Sequence, residues 1–434
     1  MTDPGIDAHR SVAGDGPSAT RSERWATWLP DPRAVLALVV LASVLARVLL
    51  LPKPDGALIF DETYYVNAAR TILHLVVPPG APYAGAPAGL DPNAEHPPLG
   101  KVLIAASMRV LGDNAFGWRM PSVIAGILAI LLLYGIVRAG GGDRWMATIA
   151  AGVLAFDNLA LVHSRIGSLD MLLVVLLLFG AWAALRGWPI IAGIGFALAA
   201  LVKINGVFGL GAALLVELAL LAWARRDGTS GWRPHLRAMV LMVVAFVPAW
   251  FGGLWLLDAA FTSFASPIAH LQHILDYGLS LTRVTAINQE SYPWQWLVNE
   301  VPMTYLRTDE QTIVNGEVVG SYATIFFRGA MNPFVIGAAP FAVAYALFRT
   351  LDARDRVGLW VLAWVAAMYL PFVLLALVEH RVSYIFYFLP TLPAVAAGVA
   401  LFLRRAGLPP LVVGTYLAAV LLGFVLYYPF RTFG

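Results

Sequence analysis

The sequence predicts an all-α polytopic membrane protein that crosses a bilayer about eleven times. Three observations lead there. Of the 434 residues, 59% are hydrophobic and only 13% are charged, against about a quarter charged in ordinary soluble domains; mean hydropathy is +0.74. Apolar runs of the length a spanning helix needs, roughly 20 residues, recur at 33–51, 118–138, 144–161, 167–186, 188–202, 204–224, 237–257, 332–349, 357–377, 382–403 and 408–428. Arginine gathers in every second connection between them.

That third pattern sets an expected orientation, because short cytoplasmic loops carry the excess of Lys and Arg. Arg10, Arg21, Arg24 and Arg33 put the N-terminus in the cytoplasm. Arg138 and Arg144, Arg186, the group Arg225, Arg226, Arg233 and Arg237, then Arg349, Arg354 and Arg356, and finally Arg404 and Arg405 agree with it. The C-terminus and the long connections 52–117 and 258–331 fall outside. Residues 1–32 are rich in Gly, Pro, Ser and charge without an apolar period, the composition of a disordered tail, and 33–51 reads as a retained signal anchor. The remaining divisions are an N-terminal transmembrane module (33–257, with the outer loop 52–117), a large outer loop (258–331) and C-terminal helices (332–434).

Composition also excludes classes. Net charge is only +3 and its basic residues are dispersed, so nucleic-acid binding has no support. Cysteine is absent, which removes disulfides, thiolate nucleophiles and Cys-ligated metals. A channel or symmetric transporter would place ionisable groups near the midplane of repeated halves; here they collect at the outer ends of the runs.

The first such group is "FDETYYVNAAR", where Asp61 and Glu62 open a short segment whose Asp61, Tyr65, Ala68, Ala69 and Ile72 share a helical face. Too short and polar to span, it is expected along the membrane interface. Asp61 there is either a helix cap or an oriented base, and capping amides would hold it ionised. "EHPPLGK" starts a second short helix with proline in its first turn and brings His96 and Lys101 to the same surface, with Asp91 and Glu95 nearby. In "HSRIGSLDM", Arg165 is a candidate for an anionic ligand, while Asp170 is either a ligand contact or half of a buried ion pair. Lys203 interrupts two apolar runs and follows the same logic. "SYPWQW" offers Trp294 and Trp296 as an interfacial belt or as a sugar or peptide platform. "EHRVSYIFYF" sets Arg381 beside Tyr384 and Tyr387, a phosphate clamp over an aromatic groove.

Carboxylates with phosphate-seeking cations on one face of a helical membrane body suit transfer of a group from a lipid phosphate. A phosphate leaving group needs charge neutralisation more than a strong acid, so one base plus cations suffices. "FDETYY", "HPPLGK", "FDN..LVHSRIGSLDM", "LVKINGVF", "SYPWQW" and "YIFYFLPTLP" resemble, in order and spacing, the protein O-mannosyltransferases of the GT-C superfamily, especially the bacterial members, over nearly all of 33–400. The resemblance implies a GT-C fold, a polyprenyl-phosphate-mannose donor lipid, and inverting transfer of mannose to Ser or Thr hydroxyls of exported proteins at the outer face of the cell membrane. It places the family's acidic pair on Asp61 and Glu62, its His-Pro-Pro–Lys element on His96 to Lys101, and its motif arginine on Arg165. The chain lacks the β-trefoil domain that eukaryotic members insert after the seventh span. With no outer-face Asp-x-Asp, no metal or other cofactor is expected.

The resulting assignment makes Asp61 the base and Glu62 its coupled neighbour. Arg165, Lys203 and Arg381 hold the donor phosphate, and His96, Lys101, Asp170, Trp294 and Trp296 line the substrate. Two further readings are a GT-C enzyme moving another lipid-linked sugar, such as aminoarabinose or a hexose, to a lipid or polysaccharide, and a non-catalytic flippase of a lipid-linked sugar.

Overall fold

A computed structural model describes residues 31–228, 230–282, 289–314 and 317–431; residues 1–30 of the expected tail 1–32 lie outside them. All eleven apolar runs are helical. In chain order the helices are α1 (Pro32–Val48), α2 (Glu62–Ile72), α3 (Leu99–Leu111), α4 (Ala115–Ala139), α5 (Arg144–Ala155), α6 (Asn158–His163), α7 (Leu169–Leu185), α8 (Pro189–Val202), α9 (Val207–Arg226), α10 (Trp232–Phe261), α11 (Pro267–Ser280), α12 (Pro293–Trp296), α13 (Pro333–Ala353), α14 (Arg356–Val378), α15 (Leu392–Arg405) and α16 (Pro410–Leu426). Among the described residues, 6 helices are long and apolar enough to cross a membrane. The other runs form shorter helices, and 144–161 breaks into two where Asp157 leaves the helix and caps α6 through Ala160 N–H (3.0 Å).

Helix ends explain where the few polar side chains go. Without water, orphan N–H groups must be satisfied internally. Asn114, Asp143, Asn332 and Asp355 each accept from the first turn of the helix they precede. The basic connections meet at one end of the bundle: Arg354 pairs with Asp227 (2.5 Å), Arg404 with Asp143 (3.0 Å) and Arg405 with Asp355. Alternation of chain direction carries the polar motifs to the opposite end. Burial grades from the centre, where 89% of the best apolar window in Ile385–Arg405 is enclosed, to the rim, where 17% of that in α10 is.

Two features depart from the sequence reading. First, α2 does not lie along an interface with one face open; nine of its eleven residues are buried, and only Thr63 and Tyr64 reach outward. Second, the mostly helical chain carries one β element. Met303–Val314 (β1) and Glu317–Gly329 (β2) form an antiparallel hairpin with Met303 opposite Gly329. Residues 307–311 and 317–322 are exposed, while Met303, Tyr305 and Phe327 at its base are buried. The segment after α16 extends the sheet: Phe326 N–H donates to Pro429 O (2.7 Å) and Arg431 N–H to Thr324 O (2.9 Å).

Candidate active site

The two adjacent carboxylates have opposite surroundings. Glu62 is fully buried and all of its acceptor capacity is used. Its Oε1 accepts from Arg119 Nε (2.8 Å) and Gly167 N–H (2.7 Å), and its Oε2 from Arg119 Nη2 (2.9 Å) and Ile59 N–H (2.7 Å). Arg119 also donates to the carbonyls of Leu51 (2.6 Å) and Ala57 (3.0 Å). Position 167 must be glycine for this approach, since a Cβ there would sit 2.8 Å from Trp118 O. A bidentate pair of this kind fixes geometry; it pins the 51–62 loop and leaves Glu62 no lone pair for an acceptor hydroxyl.

Asp61 is the free member. It stands at the N-terminus of α2 without accepting a cap bond, so the expected capping by backbone amides is absent. Among the described residues its carboxylate accepts one hydrogen bond, from Tyr65 Oη, 3.4 Å from Oδ2. Burial pushes its carboxyl up to about 7; Lys203 draws it down and Asp170 raises it further. A carboxylate poised near neutrality with an open oxygen is the arrangement general-base catalysis needs. The structure therefore divides the expected coupled pair into an uncommitted carboxylate and an anchor.

Around Asp61, Lys203 Nζ donates to Asp170 Oδ1 (2.7 Å) and lies 5.7 Å from the Phe386 ring centre. Asp170 is thus in a buried ion pair, with its Oδ2 3.4 Å from His163 Nδ1. The Nδ1 of His96 is buried with no hydrogen-bond partner, and burial plus Lys203 and Lys101 hold that imidazole well below its ordinary pKa. A neutral ring with an unused nitrogen is equipped to meet a sugar hydroxyl or phosphate oxygen. Arg381 spends Nε on Gly278 O (2.6 Å), lies 5.6 Å from the Tyr387 ring centre, and is partly exposed.

Three expected ligands are occupied elsewhere. Arg165 donates to Ala46 O and to Leu49 O (2.6 Å) and packs 5.2 Å from the Phe430 ring centre, closing the C-terminal end of α1. Lys101 is wholly buried, bonded to Asp91 (2.7 Å), His96 O (2.7 Å) and Asn93 O. It holds the loop that presents His96 instead of meeting ligand. Trp296 is fully buried among Tyr369, Phe372, Tyr387 and Phe388, with its indole N–H on Ser291 Oγ (2.8 Å). Trp294, stacked on Tyr292 at 4.4 Å and 43% exposed, is the tryptophan a ligand can reach.

Arg119, His163 and Tyr305 carry weight that the sequence reading missed. Arg119 had a signal, a charge at the mouth of an apolar run. Tyr305 lies on a hairpin that was read as loop.

Comparisons with known proteins agree with this fold. Residues 95–251 match the family model described as dolichyl-phosphate-mannose-protein mannosyltransferase. A polyprenol-phosphate-mannose–protein mannosyltransferase of Corynebacterium glutamicum is 26% identical over 401 residues, covering 77% of this chain and 74% of that one. The Saccharomyces cerevisiae protein O-mannosyltransferase Pmt1–Pmt2 complex bound to the sugar donor superposes with a TM-score of 0.71 at 11% identity, covering 92% of this chain and 90% of the other. ArnT from Cupriavidus metallidurans bound to undecaprenyl phosphate gives 0.51 at 20% identity, covering 92% and 62%. The chain shares the fold of these solved proteins, and the family model and relatives it matches are those its motifs resemble.

Proposed function

We propose that this chain, a multi-pass GT-C membrane protein similar to the protein O-mannosyltransferases, transfers mannose from a polyprenyl-phosphate-mannose donor to a protein hydroxyl. The observation that carries the reading is the contrast at Asp61. One carboxylate is left open and held near neutral pKa beside a lysine, while its neighbour is locked into the scaffold. The acceptors are Ser and Thr hydroxyls of exported proteins, and the site faces the outer side of the membrane, opposite the arginine-paired end.

In the reaction, Asp61 accepts the proton of the hydroxyl as its oxygen attacks the sugar's anomeric carbon from the face opposite the phosphate. The bond from that carbon to the phosphate oxygen breaks, the configuration inverts, and polyprenyl phosphate leaves with both bonding electrons. Lys203 and the partly exposed Arg381 neutralise the charge that accumulates on it, a role favourable at low dielectric. Asp170 keeps Lys203 in place, His96 contacts the sugar or phosphate, and Trp294 offers a face to the acceptor. Residues 33–257 form the catalytic module.

Proteoliposomes supplied with polyprenyl-phosphate mannose and a Ser/Thr peptide test this by mass spectrometry. Wild type adds a hexose and Asp61→Asn does not. The reading is overturned by a wild-type protein that moves the donor without a covalent product, by transfer from a polyprenyl-phosphate aminoarabinose in preference to mannose, or by an Asp61→Asn protein of wild-type rate.

A further inference from the structure

We infer that His163 and Tyr305 form a positioning relay that joins the β-hairpin to the Asp170–Lys203 pair and so fixes the lysine beside the base. The inference rests on the glycosyltransferase reading above. His163 is fully buried at the end of α6, with Nε2 2.8 Å from Tyr305 Oη and Nδ1 3.4 Å from Asp170 Oδ2. Asp170 is bound on its other oxygen by Lys203. The Asp170 carboxylate facing Nδ1 favours the tautomer with its proton on that nitrogen, leaving Nε2 to accept from the phenol. The chain therefore has one direction: the Tyr305 O–H donates to His163, the His163 Nδ1 edge faces Asp170 in a longer electrostatic contact shared with Ser168 Oγ (3.4 Å), and Lys203 donates to Asp170.

A second contact binds the same tyrosine to the base. The Tyr305 ring stacks on Phe60 with centroids 4.1 Å apart and planes 13° from parallel, and Phe60 immediately precedes Asp61. Phe60 and His163 both pack on Phe386, the ring beneath Lys203. Space for Tyr305 is made by Gly329 across the hairpin, where a Cβ would lie 2.5 Å from the ring. One hairpin side chain thus touches both the backbone segment that sets Asp61 and the relay that sets Lys203. None of these contacts leaves His163 or Tyr305 a role in proton transfer to substrate; they act through other groups.

The consequence reaches the reaction through charge. Asp61 is faced by Lys203 and Asp170 from the ends of α8 and α7 and by Tyr65 from α2. Tyr305 from β1, Tyr277 from α11 and Tyr384 before α15 also lie within its field. Freed from His163, Asp170 turns both oxygens onto Lys203, which weakens the lysine's pull on Asp61 and on the departing phosphate.

Tyr305→Phe removes the hydroxyl and keeps the stack; His163→Gln keeps hydrogen-bonding capacity with the wrong geometry. In proteoliposomes each is expected to lower kcat about tenfold, the worth of roughly one buried hydrogen bond. KM for the donor stays within twofold, the acid limb of the kcat/KM profile moves to higher pH, and the double variant loses no more than the worse single one. A kcat within twofold of wild type, independent additive losses, or an unmoved acid limb with activity falling only as the folded fraction falls overturns the inference. An inactive wild type instead refutes the glycosyltransferase reading, which keeps the two failures apart.

Discussion

Replacing Glu62 and Asp61 separately, each by its amide, turns the division of labour between them into numbers. Glu62→Gln substitutes an NH₂ for one carboxylate oxygen. Each oxygen of Glu62 receives one backbone N–H and one guanidinium N–H, so either orientation of the amide faces two donors with a donor. Two of four hydrogen bonds are lost and Arg119 keeps a buried charge without its counter-ion. Removing one partner of a buried pair costs about 3–5 kcal/mol, and the three remaining carbonyl contacts of Arg119 place the expectation at the lower end. Asp61→Asn touches nothing comparable. Because the fold raises its pKa to about 7, the native state holds that proton more tightly than the unfolded chain does. The ionised carboxylate therefore subtracts stability as pH rises through that range. At pH 8 the neutral amide melts at or above wild type, while the lost base lowers kcat by about 10²–10⁴. Thermal unfolding in detergent at pH 8, paired with peptide glycosylation on the folded fraction, gives both quantities. A Glu62→Gln protein as stable as wild type, or an Asp61→Asn protein that melts well below it, would refute the reasoning.

Further outcomes follow from the same geometry. The kcat/KM profile of wild type should fall below pH about 7 as Asp61 takes up its proton, measured with a donor whose phosphate stays fully ionised over the range. Arg165→Ala should destabilise the fold by about 1–3 kcal/mol, since it strips donors from two part-buried carbonyls at the end of α1, yet leave the donor KM within twofold; a large rise in KM would return Arg165 to the phosphate site. Trp296→Ala should cost about 3–5 kcal/mol, as large core aromatics do, whereas Trp294→Ala should leave the melting temperature nearly unchanged and raise the acceptor KM.

What was legible in the sequence was local. Arginine in alternate connections is a property of short loops, and the structure gathers those loops at one end through pairs such as Arg354–Asp227. The order of the motifs around Asp61, His96 and Lys203 was legible too, and the fold brings Asp61 and His96 within the field of Lys203. The hairpin carried its signal, Asn315-Gly316 between β-branched runs, but a reading tuned to runs of about 20 apolar residues passes over strands of 12 and 13.

The fate of each cation was not legible, for a physical reason. An arginine at the end of an apolar run serves a ligand or the backbone according to which carbonyls reach it, and those that occupy Arg165 and Arg119 come from segments 116 and 68 residues distant. The acidic pair is different, because its separation follows from helix geometry alone. At 3.6 residues per turn one step rotates a side chain by about 100°, so neighbours opening a helix in a packed interior must meet different surroundings. The side that meets Arg119 and the Gly167 amide becomes an anchor, and the side within the field of Lys203 keeps a carboxylate free to take a proton. Reversing the order of the two residues would therefore destroy both functions, even though composition, charge and local propensity were unchanged.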